Sequence, residues 1–204
     1  MLMKPKVFLF TGGGTGGHFY PLLAVMKTLQ KLGGGSVEIC YAGIKHPLNS
    51  ELKAFGIPVW TIVSSKLRRY FSLLNFSDFF KFFWGLLQAF AKLYIIMPDL
   101  VFSKGGPGAL PVVLAAWFYR IPVYIHESDA IPGITNRISS RFAKHIFLSF
   151  ESVRNYFYQN KTSLVGDPVR EEILELVGGE SREEAKTNLG FRALPTAPLL
   201  RHQL

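Results

Sequence analysis

A chain of 204 residues that is 49% hydrophobic has ample length for a buried core, which excludes a disordered tail and leaves room for one large domain or two small ones. Its formal net charge of +9 favours anionic partners: phosphates, nucleic acid or an acidic membrane surface. The single cysteine, Cys40, excludes an internal disulfide framework and points to a reducing compartment.

The chain opens MLMKPKVFLF, two lysines before an apolar run that reaches a glycine cluster too soon for a signal peptide. Residues 7–10 therefore read as the first strand of a cytoplasmic protein. Further short apolar runs at 37–42, 59–63, 100–103, 123–126 and 145–150 read as buried parallel strands. Segments of helical period, such as 21–32, 111–119 and 135–143, lie between most of them. Strand–helix alternation of this kind predicts an α/β fold with a doubly wound parallel sheet. A domain boundary is expected near Gly178–Gly179, dividing 1–178 from 179–204. Past it, Ser181 and Glu184 have capping-box spacing.

The stretch Gly12 to His18 reads GGGTGGH, with glycine at five of six positions before the histidine. Glycine is entropically costly to order, and a tight turn needs only one or two. Gly12, Gly14 and Gly17 satisfy G-x-G-x-x-G between a strand and a helix, where bare backbone and a helix N-terminus can approach a phosphate. A dinucleotide site also wants an acid at the end of the second strand. That strand ends Cys40-Tyr41-Ala42-Gly43, and Glu38 lies too early. A P-loop fails too, because His18 and Phe19 stand where Lys and Ser/Thr belong. Phosphate or diphosphate binding is the expectation that remains. His18, in the first turn of the following helix, either packs the loop or serves as a general base or hydrogen-bond donor.

Three later stretches fall at the carboxyl ends of strands, where ligands bind in open α/β sheets: SKGGPG at 103–108, HESDAIPG at 126–133 and GDPVR at 166–170. Each alone is ordinary turn chemistry. Together they predict one polar crevice, with Arg170 suited to a phosphate. The segment NFSDFFKFFWGLLQAFAKLYIIM behaves differently. On a helix, Ser77, Lys81, Gly85, Gln88 and Lys92 share one narrow stripe, and the other faces are mostly aromatic or aliphatic. The polar residues interrupt it too often for a comfortable membrane span. With Lys66, Arg68 and Arg69 beside it, an interfacial helix on anionic lipid is expected.

GGTGGH with Pro21 and Ala24 after it, SKGG followed by PVVLAAW, HESD-x-x-PG-x-x-N and GDPVR stand in this order along the chain. In that order they resemble the MurG family of peptidoglycan glycosyltransferases, over about residues 7–191. The resemblance implies a GT-B fold, two Rossmann-like domains facing across a cleft. It also implies transfer of N-acetylglucosamine from UDP-N-acetylglucosamine to lipid I, undecaprenyl-pyrophosphoryl-MurNAc-pentapeptide. That chemistry would be inverting, free of metal or other cofactor, and placed at the cytoplasmic face of the bacterial membrane. The anionic partner is then a membrane surface and not nucleic acid.

By the same resemblance, Thr15, Gly16 and Gly17 fall in the glycine loop near the acceptor diphosphate, and His18 is the histidine considered as a base. Gly105 and Gly106 fall in the second glycine loop. Glu127 and Asp129 fall in the HESD stretch, Asp129 where many members have the asparagine of HEQN. Arg170 matches the arginine of a GNPVR turn. Phe79, Phe83 and Trp84, with Lys66, Arg68 and Arg69, fall in the membrane patch. The second loop departs from the pattern GG-aromatic-V-S-x-P, since Pro107, Gly108 and Ala109 follow Gly106. The donor-binding second domain is expected to be missing, the chain ending in PLLRHQL where its first strand would begin. A 204-residue acceptor-side half, inactive alone, is the resulting expectation. The alternatives are a non-catalytic lipid-diphosphate binding domain and, more remotely, a nicotinamide-dependent oxidoreductase.

Overall fold

The computed structural model describes residues 4–64 and 74–169. One compact unit ends at Pro168. The expected boundary near Gly178–Gly179, and Arg170, Lys66, Arg68 and Arg69, lie outside the described residues.

Seven parallel strands form one sheet in the order β3-β2-β1-β4-β5-β6-β7. They are β1 (Lys6–Thr11), β2 (Val37–Gly43), β3 (Val59–Thr61), β4 (Leu100–Ser103), β5 (Val123–Glu127), β6 (His145–Leu148) and β7 (Thr162–Leu164). The helices are α1 (Gly16–Gly33), α2 (Asn49–Ala54), α3 (Leu74–Ile96), α4 (Ala109–Phe118) and α5 (Ile134–Ser139). Alternation along β1 separates the two layers. Leu9 packs with Ala89 and Leu93 of α3 and with Val112, Val113 and Ala116 of α4. Phe10, its neighbour, packs on the other face with Phe19, Leu22 and Met26 of α1 and Leu52 of α2. Both side chains are wholly buried, so β1 is apolar on both faces.

The chain leaves β1 in one direction, towards β2 and β3, then returns through α3 to β4 and proceeds the other way. β1 and β4 are therefore the topological switch point, where open α/β sheets hold their ligands. Thr11 and Ser103 pair in register, so the two strands end level and Gly12 and Lys104 leave the sheet side by side.

Three elements differ from the sequence expectation. Helix α1 starts at Gly16, five residues before Pro21, so Gly16 and Gly17 are helical. Pro21 has no N–H for its i−4 carbonyl, that of Gly17. The third strand stops at Thr61, and β7 adds an edge strand that no long apolar run announces.

Periodicity leaves the orientation of α3 open, and the structure sets it. The middle of its polar stripe faces inward, at Gly85 and Gln88, while the Lys81 side chain is 53% exposed. Gly85 is buried, and a methyl there would run into the Val63 carbonyl. Gln88 Oε1 accepts from the Val63 N–H at 2.8 Å. Phe79, Phe80, Phe83, Trp84, Leu87, Tyr94 and Ile95 point outward, 48–75% exposed. The helix packs on α4 through Phe90, which meets Phe118 and Tyr119 edge-on. By length and composition Asp78–Ile96 could cross a membrane, and only 17% of it is buried, unlike a core helix.

Candidate active site

Two glycine turns meet at the switch point. After β1, Gly12, Gly13 and Gly14 all have positive φ; after β4, so do Gly105, Gly106 and Gly108. Lys104 N–H donates to Thr11 O at 3.0 Å, holding the turns together. A side chain on Gly106 would strike the Gly13 carbonyl, and one on Gly105 would strike the Asn136 amide. These glycines are required by loop-on-loop packing. Tyr41, fully buried, donates its hydroxyl to the Gly12 carbonyl and fixes the first turn from below.

Gly16 and Gly17 are different. A methyl on Gly17 would meet nothing closer than Thr15 Oγ1, 4.0 Å away, and one on Gly16 would make only ordinary contact with the Tyr20 ring. Packing does not demand glycine here. Thr15 is the N-cap residue but makes no side-chain cap. His18 and Phe19 N–H donate to the Thr15 carbonyl at 3.2 and 3.1 Å, while the Gly16 and Gly17 N–H groups ahead of them have no carbonyl within the helix to reach, and the positive end of its dipole faces the crevice. His18 follows immediately, with Nδ1 enclosed and without a hydrogen-bond partner among the described residues.

Behind the turns lies a polar network, buried at Lys104 and His126 and half exposed at Asp167. Lys104 is 1% exposed, and its ammonium donates to His126 Nδ1 at 2.6 Å and to Asp167 Oδ1 at 2.9 Å. His126 in turn donates from Nε2 to the Gly166 carbonyl at 2.9 Å, which makes it the neutral Nε2–H tautomer. Burial pulls the Lys104 ammonium below the ordinary lysine range, and Asp167 opposes that pull. Burial, reinforced by the Lys104 charge, lowers the His126 pKa from 6.5 to about 4.

Glu127 is equally enclosed, 1% exposed. Its Oε1 accepts from Asp129 N–H at 2.9 Å, and its Oε2 from Gly133 N–H at 3.3 Å and Asn136 Nδ2 at 3.1 Å. Burial raises its pKa, and these donors act against the rise. The carboxylate thus ties down both ends of the loop 128–133. Asp129 stands on that loop with its side chain exposed to solvent. Of the residues expected from the sequence, Thr15, Gly16, Gly17, His18, Gly105 and Gly106 come together at the switch point, and Glu127 and Asp129 stand at the end of β5 on its far side.

Sequence reasoning did not single out Lys104 or Asp167. Both stood inside quoted turns, but partners 63 residues apart leave no local spacing to read. Among the described residues, no group of three or more His, Cys, Asp or Glu could hold a metal ion. Cys40 is buried, its thiol pushed up to about 12 by burial and by Glu38. It is not a nucleophile.

The His126 geometry carries a pH dependence. Because the folded state disfavours the protonated ring, the unfolded chain binds more protons between pH 6.5 and about 4. Stability is full above 6.5 and falls as pH drops through that window, by up to about 3 kcal/mol. Glu127 acts in the opposite sense, its raised pKa favouring the folded state in acid. Denaturant titrations at pH 7 and pH 4.5 are expected to show the loss in the parent and a flatter profile in His126→Asn, which keeps an acceptor for Lys104 but does not titrate. An equal slope in both proteins would contradict the assignment.

Similarity to known proteins agrees with this geometry. The chain is 40% identical over 187 residues to a UDP-N-acetylglucosamine--N-acetylmuramyl-(pentapeptide) pyrophosphoryl-undecaprenol N-acetylglucosamine transferase of Bacillus cereus, covering 91% of this chain and 51% of that one. It is 45% identical over 174 residues to the enzyme of the same name from Legionella pneumophila, covering 84% and 47%. The chain thus spans about half the length of the curated relatives it matches. The crystal structure of Acinetobacter baumannii MurG superposes with a TM-score of 0.66 at 31% identity, over 82% of this chain and 47% of that one. The expected fold, one Rossmann-like half of a GT-B glycosyltransferase, is borne out. A family model described as the glycosyltransferase family 28 N-terminal domain matches residues 8–148, and the chain belongs to that family.

Proposed function

We propose that this chain provides the acceptor-binding half of an inverting transferase that moves N-acetylglucosamine from UDP-N-acetylglucosamine to lipid I, yielding lipid II for peptidoglycan. The observation that carries the reading is Gly16 and Gly17, two glycines that packing does not require, in the uncapped first turn of α1 at the switch point. There the acceptor diphosphate accepts backbone N–H groups, and bare backbone lets it come close. The sugar hydroxyl next to it attacks the anomeric carbon opposite the departing UDP. Its proton passes to His18, whose Nδ1 is enclosed, so that Nε2 meets the substrate. Arg170 and the exposed Asp129 contribute further polar contacts. Lys104, His126 and Glu127 keep the loops around the crevice in place.

The same reading puts the chain on the cytoplasmic face of the membrane, as a peripheral protein. Phe79, Phe83 and Trp84 on α3 supply apolar area, and Trp117 and Phe118 at the end of α4 extend it, 56% and 63% exposed. Arg120, Lys144 and Lys161 line a groove with Trp117 and Phe142. These join Lys66, Arg68 and Arg69 as the basic complement for acidic lipid. Each cation near an acidic surface contributes about 1 kcal/mol. In flotation with liposomes, the chain is expected to rise with vesicles rich in acidic lipid. Phe83→Ser with Trp84→Ser should weaken binding at every salt concentration. Neutralising Lys66, Arg68 and Arg69 should flatten the salt dependence. A parent chain that stays soluble at low salt would overturn the membrane assignment.

The transferase reading is tested by adding radiolabelled UDP-N-acetylglucosamine and lipid I to an active preparation containing this domain. Labelled lipid II supports it; hydrolysis of the donor without lipid labelling contradicts it.

A further inference from the structure

A cleft of about 510 Å³ lies between α5 and the 3-10 turn Glu151–Tyr156, away from the glycine turns. Two arginines four residues apart, Arg137 and Arg141, stand on its α5 side, both exposed. Across from them are Asn155, Tyr156 and Tyr158, and the Arg137 guanidinium lies 5.9 Å from the centre of the Tyr156 ring. Among the described residues, no acidic side chain lines the cleft. Neither arginine has a carboxylate partner among the described residues, and the nearby Glu151 is paired with Arg154 at 3.0 Å. Two guanidiniums without a carboxylate partner among the described residues, one of them over an aromatic ring, suit a carboxylate presented on a chain that also carries amides.

The cleft begins where the crevice ends. Its first residue, Ile134, follows Gly133, whose N–H is held by Glu127, and Asn136 on the same helix packs against Gly105. From Ile134 to Ser139, the end of α5, the helical rise is about 7.5 Å, and Arg141 stands two residues past it. A five-residue peptide in extended form reaches roughly 17 Å. A pentapeptide attached near the glycine turns is thus long enough to run the cleft and bring its terminal carboxylate to the arginines.

We infer that this cleft binds a carboxylate-bearing peptide, which, on the reading proposed above, is the pentapeptide stem of the acceptor. Its C-terminal carboxylate lies on Arg137 and Arg141, and its amides meet Asn155 and the tyrosine hydroxyls. The acceptor is then held at two points, by its diphosphate at α1 and by its peptide along α5.

The test titrates the 204-residue chain with three short-prenyl analogues of lipid I: with the pentapeptide, with the pentapeptide as its C-terminal amide, and without peptide. The free pentapeptide is titrated separately. The parent is expected to bind the carboxylate form at least about tenfold more tightly than the other two. Arg137→Gln with Arg141→Gln should erase that preference and leave the affinity for the peptide-free analogue unchanged. Equal affinity of the parent for all three analogues would overturn the inference, as would a preference that survives in the double variant. If no analogue binds but the free pentapeptide does so through the arginines, the acceptor reading falls and the peptide cleft stands. If neither the analogues nor the peptide bind, both fall.

Discussion

His18→Ala is expected to lower the rate of sugar transfer by roughly 10²–10⁴-fold, the range for loss of a positioned general base. Acceptor affinity should change far less, because on the proposed reading the diphosphate is held by backbone N–H groups that the substitution leaves in place. The imidazole sits in the first turn of α1, against Gly106 of the second glycine turn, with one ring nitrogen enclosed and unpartnered. A histidine present only to pack the loop would show the reverse pattern, with weakened binding or stability and a nearly normal chemical rate. Single-turnover transfer in an active preparation, measured beside equilibrium acceptor binding, separates the two. Near-normal single-turnover transfer would remove His18 from the chemistry.

Glu127→Ala is expected to be the most destabilising single change at the site. Its carboxylate is 1% exposed and accepts from Asp129 N–H, Gly133 N–H and Asn136 Nδ2. Truncation leaves three buried or half-buried donors unsatisfied and a cavity beside them. A loss of about 3–5 kcal/mol is expected, as for breaking a buried charged network. For a chain of this size that lowers the melting temperature by roughly 10 °C. The loop 128–133 should loosen first, seen as faster amide exchange at Asp129 and Gly133 than elsewhere. A melting temperature within a degree or two of the parent would show that the carboxylate does not organise the loop. The prediction also separates two roles for Glu127. A general base would be needed for rate and not for folding; the hydrogen bonds place it in the second group.

Much of the sheet could be read from the sequence, because parallel strands buried on both faces must be apolar throughout. Leu9 and Phe10 are adjacent, face opposite layers and are both fully buried. Helix starts were harder. Pro21 marks a favourable first helical position, yet α1 begins at Gly16, because tertiary packing overrides the poor propensity of glycine. The glycine cluster was legible as a phosphate loop but not divisible. Only the folded chain separates Gly105 and Gly106, which pack against Asn136 and Gly13, from Gly17, where an added methyl would meet only Thr15 Oγ1 at 4.0 Å.

The helix α3 shows a different limit. Periodicity found its narrow stripe but could not say which side faced the protein. Gly85 and Gln88 turn inward because Val63 needs a close approach and an acceptor, and that partner lies 25 residues away along the chain from Gln88. The Lys104–His126–Asp167 network was hidden for the same reason. Each member looked like turn chemistry until the sheet brought the three strand ends together.

The account stands most directly on Gly16 and Gly17 as glycines kept for a ligand. Gly17→Ala should preserve or raise stability, since alanine is favoured over glycine in a helix by about 1 kcal/mol and the added methyl meets open space. The same methyl sits where the proposed reading brings the acceptor diphosphate. The decisive measurement is the affinity of parent and Gly17→Ala for a short-prenyl lipid I analogue, with melting temperature recorded on the same samples. The account predicts at least a tenfold weaker affinity, roughly the worth of one charge-assisted hydrogen bond, in a variant that melts no lower than the parent. Unchanged affinity in that equally stable variant would contradict it.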